Sequence, residues 1–377
     1  MQYQRQLKLQ SLLQENSFFL FGPRATGKSF LIKKTLSHAQ IFNLLDDDTF
    51  DSLMRRPKSL SEQIKDFKKI IVIDEIQKLP KLLDEVHRLI EDYGAKFLLT
   101  GSSARKLRHG GANLLAGRAW EAHLFPLVYP EIPDFDLVSY INYGGLPRVV
   151  QSVNPKEELK AYVKIYLNEE IKAEAWVRSY EKFVRFLETM ALSNGKELNY
   201  QTISSDAGVP ARTLEGYIEV LRDTLIGNEL LPFTKTKKRK AVTRSKFYFF
   251  DLGVVNSLKG IGPLTPKNTD FGDAFEHFIL NEIRAYNNYS RKDEGLYYWR
   301  TREVEVDFIV GNKAAIEIKS SERIKDSYFS GLKKLKEEQL ISNYYLVSLS
   351  HEEGKHDGIN FLFYETFLKK LWSGEIF

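Results

Sequence analysis

The chain has 377 residues, 43% of them hydrophobic and 28% charged, with a net charge of +5. That is the balance of a globular protein of two or three domains, with a weak pull toward anionic partners; the lack of cysteine excludes disulfides and thiolate metal sites. No apolar run reaches the length of a membrane span, and residues 1–16 lack a signal-peptide core and read as an amphipathic helix. A cytoplasmic protein without a membrane partner is expected.

In chain order, Phe18–Phe21 reads as a buried strand and Ser29–Leu36 as a helix. Between them lies Gly22-Pro-Arg-Ala-Thr-Gly27-Lys28-Ser29, the G-x-x-x-x-G-K-S loop in a strand–loop–helix setting. Such a loop turns backbone N–H groups toward phosphates, and the helix N-terminus adds partial positive charge. Lys28 is expected on the β- and γ-phosphates and Ser29 on Mg²⁺. After a strand in "IFNLLDDD", the apolar run of "KKIIVIDEIQKLP" ends in Asp74 and Glu75. A continuous apolar run fits a central parallel strand, whose C-terminal end is where ligands sit. Asp74 is expected to hold Mg²⁺, and Glu75 to polarise the attacking water. Phe97–Thr100 reads as a further buried strand. Thr100, Ser102 or Ser103 would orient water or the γ-phosphate there, or serve as caps. Arg118, after Gly117, reads either as an arginine reaching a neighbouring subunit's γ-phosphate or as a surface residue.

"GPRATGKS", "IIVIDEIQKLP" and "LLTGSS" together resemble the AAA+ branch of P-loop ATPases. The resemblance implies an ATPase core over residues 1–135 and a helical lid over 136–180, with Arg148 of "GGLPR" as a second γ-phosphate sensor. It also implies a homo-oligomer: a ring is the family expectation, a hexamer one form of it.

Residues 181–255 change character. Two amphipathic helices flank "DAGVP", as in a helix–turn–helix, and Leu214, Tyr217, Ile218 and Leu221 recur at helical spacing. The basic run "TKTKKRKAVTRSK" comes next, with seven positive charges and no acidic residue. A winged helix would place this run as a β-ribbon against phosphates. Arg212, Lys235, Lys237, Lys238, Arg239, Lys240 and Arg244 are the candidate nucleic-acid contacts. Backbone-directed, salt-sensitive binding is expected, because nothing reads bases. A solvated loop or a protein-docking surface are the other readings of the run.

The last segment, 264–377, opens with the amphipathic helix "FGDAFEHFILNEIRAY", which carries Glu276. Three strands are expected at Leu296–Thr301, Val304–Val310 and Ala314–Ser320. In the middle one Val304, Val306, Phe308 and Val310 form one apolar face and Asp307 lies on the other. In the third, Glu317 and Lys319 share a face. Converging carboxylates are costly to bury unless a cation compensates. Oxygen ligands suit Mg²⁺ or Mn²⁺, which activates water and neutralises charge on a scissile phosphate. Asp307 and Glu317 are the candidate ligands, and Lys319 would position the water or steady the developing charge.

Asp307, Glu317-x-Lys319 and Glu276 resemble the PD-(D/E)xK nuclease superfamily, although Val306 stands where that motif often has Pro. The whole order is also similar to a prokaryotic group that joins an AAA-type ATPase to a winged helix and a C-terminal domain. The expected fold is therefore α/β: a P-loop AAA+ parallel sheet with a helical lid, a winged-helix module and a restriction-endonuclease-like α/β domain. The expected function is an ATP-hydrolysing, DNA-binding protein with a Mg²⁺- or Mn²⁺-dependent nuclease site, acting on DNA, including branched forms, under ATP control. Two alternatives remain: an ATP-driven DNA remodeller or switch whose last domain only binds, and a regulator that binds ATP without turnover.

Overall fold

Continuous apolar runs decide the first sheet. In the computed structural model, which describes residues 3–103, 115–167 and 180–377, these runs become β1 (Ser17–Phe21), β3 (Ile71–Asp74) and β4 (Phe97–Gly101), each buried along its whole length. With β2 (Gln40–Asn43) and β5 (Ala119–His123) they form a five-stranded parallel sheet in the order β2-β3-β4-β1-β5. Its core joins Phe19, Phe21, Ile73 and Leu99 to Leu82 and Val86 of the helix Leu82–Tyr93. This first compact unit comprises Met1–Leu127 together with Glu219–Ile226.

The N-terminal helix is shorter than expected, Leu9–Glu15. The preceding residues are held in a non-helical path because Arg5 donates to the carbonyls of Thr26 and Phe125, and Tyr3 and Leu7 are buried.

The second unit comprises Val128–Ile218 and Gly227–Phe377. Its main sheet has the order β12-β13-β11-β10-β9-β8-β6-β7 among the described residues. The strands are β6 (Gly227–Pro232), β7 (Lys246–Phe249), β8 (Leu296–Arg300), β9 (Glu305–Val310), β10 (Ala314–Lys319), β11 (Asn343–Ser348), β12 (Gly354–His356) and β13 (Ile359–Phe363). The helix Thr269–Tyr289 covers one face through Phe275, Phe278 and Ile279. The helix Ser330–Lys336 covers the other through Leu332 and Leu335.

Three expectations change here. The helices Leu137–Tyr143, Pro147–Gln151 and Pro155–Ala161, expected as a lid of the ATPase, belong to the second unit. Leu137, Tyr140 and Ile141 share a core with Phe275 and Phe278, so their apolar face is satisfied there. Residues 168–179 of the expected lid lie outside the described residues.

The basic run is not a free ribbon. The helices Tyr180–Leu192, Tyr200–Ala207 and Ala211–Asp223 precede the antiparallel pair β6–β7. However, β6 also pairs in parallel with β8, which makes the pair the end of the larger sheet. The connection between β6 and β7 is docked onto the end of the helix Ser330–Lys336. Backbone N–H groups of Lys237 and Lys238 donate to the Glu338 carboxylate at 2.9 and 3.0 Å, and Arg239 donates to Glu337 at 2.6 Å.

The faces of β9 also differ from strict alternation. Phe308 and Val310 join the core under Thr269–Tyr289, but Val306 joins Ile309 in the opposite core. The pairing with β8 explains this: Tyr297 opposes Ile309 while Trp299 opposes Val306, so β9 has one residue more than its partner there. Such a bulge flips the parity of side chains on either side of it, and Asp307 sits within it.

Candidate functional site

Two constellations emerge, one in each unit. The first lies where β1, β3 and β4 end. Gly27 adopts φ 95° and Ala25 φ 63°, a sharp turn that glycine accommodates freely, and the helix Lys28–Thr35 begins at once. Lys28 is 6% exposed, and its ammonium donates to the carbonyls of Gly22 (2.6 Å) and Pro23 (3.1 Å). Ser29 Oγ donates to Asp74 Oδ2 at 3.0 Å, and Thr100 donates to Asp74 Oδ1. The oxygens of Ser29 and Asp74, the two residues that would hold Mg²⁺, are thus already side by side.

Glu75 has a left-handed backbone, φ 65°, unusual for a residue with a side chain. Its N–H donates to Thr100 Oγ1 at 3.1 Å. Sequence reasoning overlooked Gln77. The single 3-10 turn Ile76–Lys78 brings its amide back, so that Nε2 donates to the Glu75 carboxylate and, at 3.3 Å, to Ser102 Oγ. Ser103 donates instead to the Asp223 carbonyl at 3.3 Å. Arg118 is paired with Glu91 in the same unit. Arg148 is in the second unit, where it is 72% exposed and bonded to Glu158 at 2.8 Å.

The second constellation gathers at the ends of β7, β9 and β10. Asp307 Oδ2 accepts the Ile318 N–H at 2.7 Å, which sets it against the Glu317-x-Lys319 stretch. Lys319 bonds Glu317 Oε1, whereas Glu317 Oε2 is buried with no hydrogen-bond partner among the described residues. Glu276 lies further along. It accepts from Tyr248 Oη at 2.5 Å and from Lys246 Nζ at 3.1 Å, and Lys246 also bonds Glu305 at 2.6 Å. Lys246 and Tyr248 were missed as site residues, and Lys246 was counted with the exposed basic run. The alternation Lys-Phe-Tyr-Phe of β7 carries the signal: Lys246 and Tyr248 share one face, and Phe247 and Phe249 the other.

Burial, then the Glu317 and Glu276 charges, push the Asp307 carboxyl well above its usual range. Burial likewise pushes Glu317 up to about 7, against the pull of Lys319. Burial opposes the Lys319 and Lys246 ammonium forms, but the surrounding carboxylates outweigh it and hold both charged. The cluster is short of positive charge. That deficit and the orphaned Glu317 oxygen fit a divalent cation at Asp307 and Glu317. Glu276 is engaged by Lys246, and no group of three or more His, Asp or Glu among the described residues is gathered to hold a metal.

Of the candidate nucleic-acid residues, Arg212, Lys235, Lys237, Lys238, Lys240 and Arg244 are exposed, and Arg239 is partly covered by Glu337. No helix among the described residues is long and apolar enough to cross a membrane.

Comparison with known proteins agrees with the first site. Residues 14–133 match the family model described as AAA domain. The chain carries an AAA domain of the P-loop type. Such a domain supports ATP binding, typically with Mg²⁺, and ATPase activity. Residues 271–367 match Domain of unknown function (DUF4143), and 134–265 match Domain of unknown function (DUF8612). An uncharacterized protein of Mycobacterium tuberculosis is 25% identical over 312 residues, which cover 80% of this chain and 69% of that protein. An uncharacterized protein of Methanocaldococcus jannaschii is 22% identical over 336 residues, covering 79% and 73%. The DNA clamp loader delta protein of Bacillus subtilis aligns over 57% of this chain and 86% of that one, at 10% identity and a TM-score of 0.25. At that score the likeness carries no structural argument. The AAA domain thus contains the Lys28, Ser29, Asp74 and Glu75 constellation, and the DUF4143 match contains Glu276, Asp307, Glu317 and Lys319.

Proposed function

We propose that this chain hydrolyses ATP at its AAA domain and cuts the DNA backbone at the C-terminal constellation, with ATP controlling the cut. The observation that carries the second half is the meeting of Asp307 with Glu317-x-Lys319 through the 2.7 Å bond to the Ile318 N–H. In the first site Lys28 binds the β- and γ-phosphates, Ser29 and Asp74 hold Mg²⁺, and Glu75 accepts the proton of the attacking water, with Thr100 fixing its backbone. In the second, Asp307 and Glu317 hold the divalent cation, whose bound form supplies an activated water and charge neutralisation at a phosphate. Lys319 orients that water or balances charge on the departing oxygen.

The exposed Lys235, Lys237, Lys240, Arg244 and Arg212 supply phosphate contacts, so DNA affinity falls steeply with salt. The winged-helix reading of the preceding helices and β6–β7 belongs to the same proposal. So does a homo-oligomer such as a hexameric ring, in which Arg118 leaves Glu91 to reach a neighbour's γ-phosphate.

The test is cleavage of labelled single-stranded, duplex and four-way-junction DNA in Mg²⁺ or Mn²⁺, with and without ATP. Asp307→Ala and Lys319→Ala are expected to abolish cleavage and retain ATP turnover. A second reading has one observation in its favour: Lys246 already bridges Glu276 and Glu305. On that reading the protein is an ATP-driven remodeller or switch whose C-terminal unit binds DNA or a partner. Steady ATP turnover with no cleavage of any substrate would select it.

A further inference from the structure

Lys246 is the least expected member of the C-terminal constellation. It comes from β7, outside the stretch that carries Asp307, Glu317 and Lys319, and it is 4% exposed. Its Nζ lies 3.1 Å from Glu276 Oε1, 2.6 Å from Glu305 Oε1 and 5.2 Å from the centre of the Tyr298 ring. Tyr248 Oη binds the same Glu276 oxygen at 2.5 Å, and Arg300 lies 3.6 Å from the other oxygen of Glu305. Glu276 Oε1 and both oxygens of Glu305 are therefore engaged by this chain's own donors.

Asp307 and Glu317 are less fully engaged. Lys319 bonds Glu317 Oε1 and, with Lys246 further off, acts on Asp307 through charge alone, while Glu317 Oε2 is buried without a hydrogen-bond partner among the described residues. Across the cluster four carboxylates (Glu276, Glu305, Asp307, Glu317) face two ammonium groups (Lys246, Lys319). With all four ionised, as a bound cation would keep them, two negative charges remain. Counting Arg300 and its partner Glu197, 3.2 Å away, adds one charge of each sign and leaves the excess unchanged. An excess of two is the charge of one divalent ion. A two-metal phosphodiester site needs two such ions about 3.5–4 Å apart, with carboxylates to hold both. Here the carboxylates of a second ion already hold an ammonium group.

We propose that Lys246 is a built-in cation that fills the second metal position, so the cluster takes a single divalent ion, at Asp307 and Glu317. This rests on the metal-site reading above and deepens it. A Lys ammonium is compact and donates three hydrogen bonds, so it can replace an ion between two carboxylates and a tyrosine. Unlike an ion it is tethered by its strand and cannot be chelated away.

The test is the stoichiometry of Mn²⁺ binding to the full chain, measured by calorimetry without nucleotide. An Asp74→Asn background removes the metal of the AAA domain. One Mn²⁺ per chain is expected in that background, two after Lys246→Met, one after Lys246→Arg, and none after Asp307→Asn. Thermal melting checks that each variant folds. Two ions in the Lys246-containing protein overturn the inference, whether or not Lys246→Met folds. One ion with Lys246 and still one after Lys246→Met overturns it while sparing the metal-site reading. No binding in either overturns both.

Discussion

Replacing Gln77 with Met tests whether the AAA site depends on a residue outside its motifs. Gln77 is 8% exposed, and its amide bridges the Glu75 carboxylate and Ser102 Oγ. Met keeps the length and removes the donor. A hydrogen bond to a charged acceptor is worth roughly 1.5–3 kcal/mol. If Glu75 needs that bond to face the water, the loss falls on kcat, by about 10- to 150-fold at roughly 1.4 kcal/mol per tenfold. Lys28 and Ser29 take their contacts from Gly22, Pro23 and Asp74, so phosphate binding is untouched. Steady-state ATP turnover should therefore show a reduced kcat with KM within about twofold of wild type. A titration with a non-hydrolysable ATP analogue should show unchanged affinity. A kcat within about threefold of wild type, or affinity falling in step with kcat, would refute the positioning role.

Glu75→Gln should bind ATP normally and lose turnover; unchanged turnover would mean that Glu75 does not activate water. Gly144→Ala should lower stability by at least about 2 kcal/mol in denaturant unfolding. Gly144 has φ 72°, and a Cβ there would lie 2.2 Å from Asp251 Oδ1. Asp251 cannot yield, because it is held by the N–H groups of Gly145 (2.8 Å) and Val254 (3.1 Å). Glu282 predicts a pH dependence. Burial pushes it up to about 8 from 4.5, against its bonds from the Tyr129 N–H and the Trp372 indole. Between these values the folded chain binds more protons than the unfolded one, so this contribution to stability declines as pH rises. From pH 6.5 to 8 the decline is about 1.6 kcal/mol, and Glu282→Gln should flatten it; parallel slopes would exclude the assignment. His277, pushed down to about 3 by burial, acts below that window: its contribution is full above 6.5 and lost as pH falls. Finally, a 264–377 fragment should aggregate on size-exclusion chromatography, because it leaves the β8 edge without β6.

The AAA domain was legible because its determinants are local. A strand, a glycine turn and a lysine occupy adjacent positions, and the run ending in Asp74 and Glu75 states its own burial. What the run could not state was Gln77. Two residues beyond Glu75, it looks like part of a helix start, and only the tight turn Ile76–Lys78 returns its amide to the carboxylate. The packing of the expected lid helices was hidden for a different reason. Leu137, Tyr140 and Ile141 announce an apolar face but not its partner, which lies far along the chain at Phe275 and Phe278.

The C-terminal constellation shows the same division more sharply. Alternation located Asp307, Glu317 and Lys319, yet alternation alone misplaced Val306, because a bulge inserts a residue beside Asp307. The bulge has a local purpose: it turns the Asp307 carboxylate to the Ile318 N–H, and so toward the Glu317-x-Lys319 strand. Lys246 was hidden by its neighbours. Six basic residues precede it, five of them exposed, and charge runs are ordinarily solvated. Its C-terminal neighbours set it apart: Phe247, Tyr248 and Phe249 make Lys246 the first residue of a buried strand, and a buried ammonium requires carboxylates around it. Glu276 and Glu305 meet that requirement from a helix and a strand that sequence order sets 30 and 59 positions away. A domain boundary drawn after residue 255 therefore cuts through the charge network of the site, because the cation that bridges Glu276 and Glu305 lies on the far side of it.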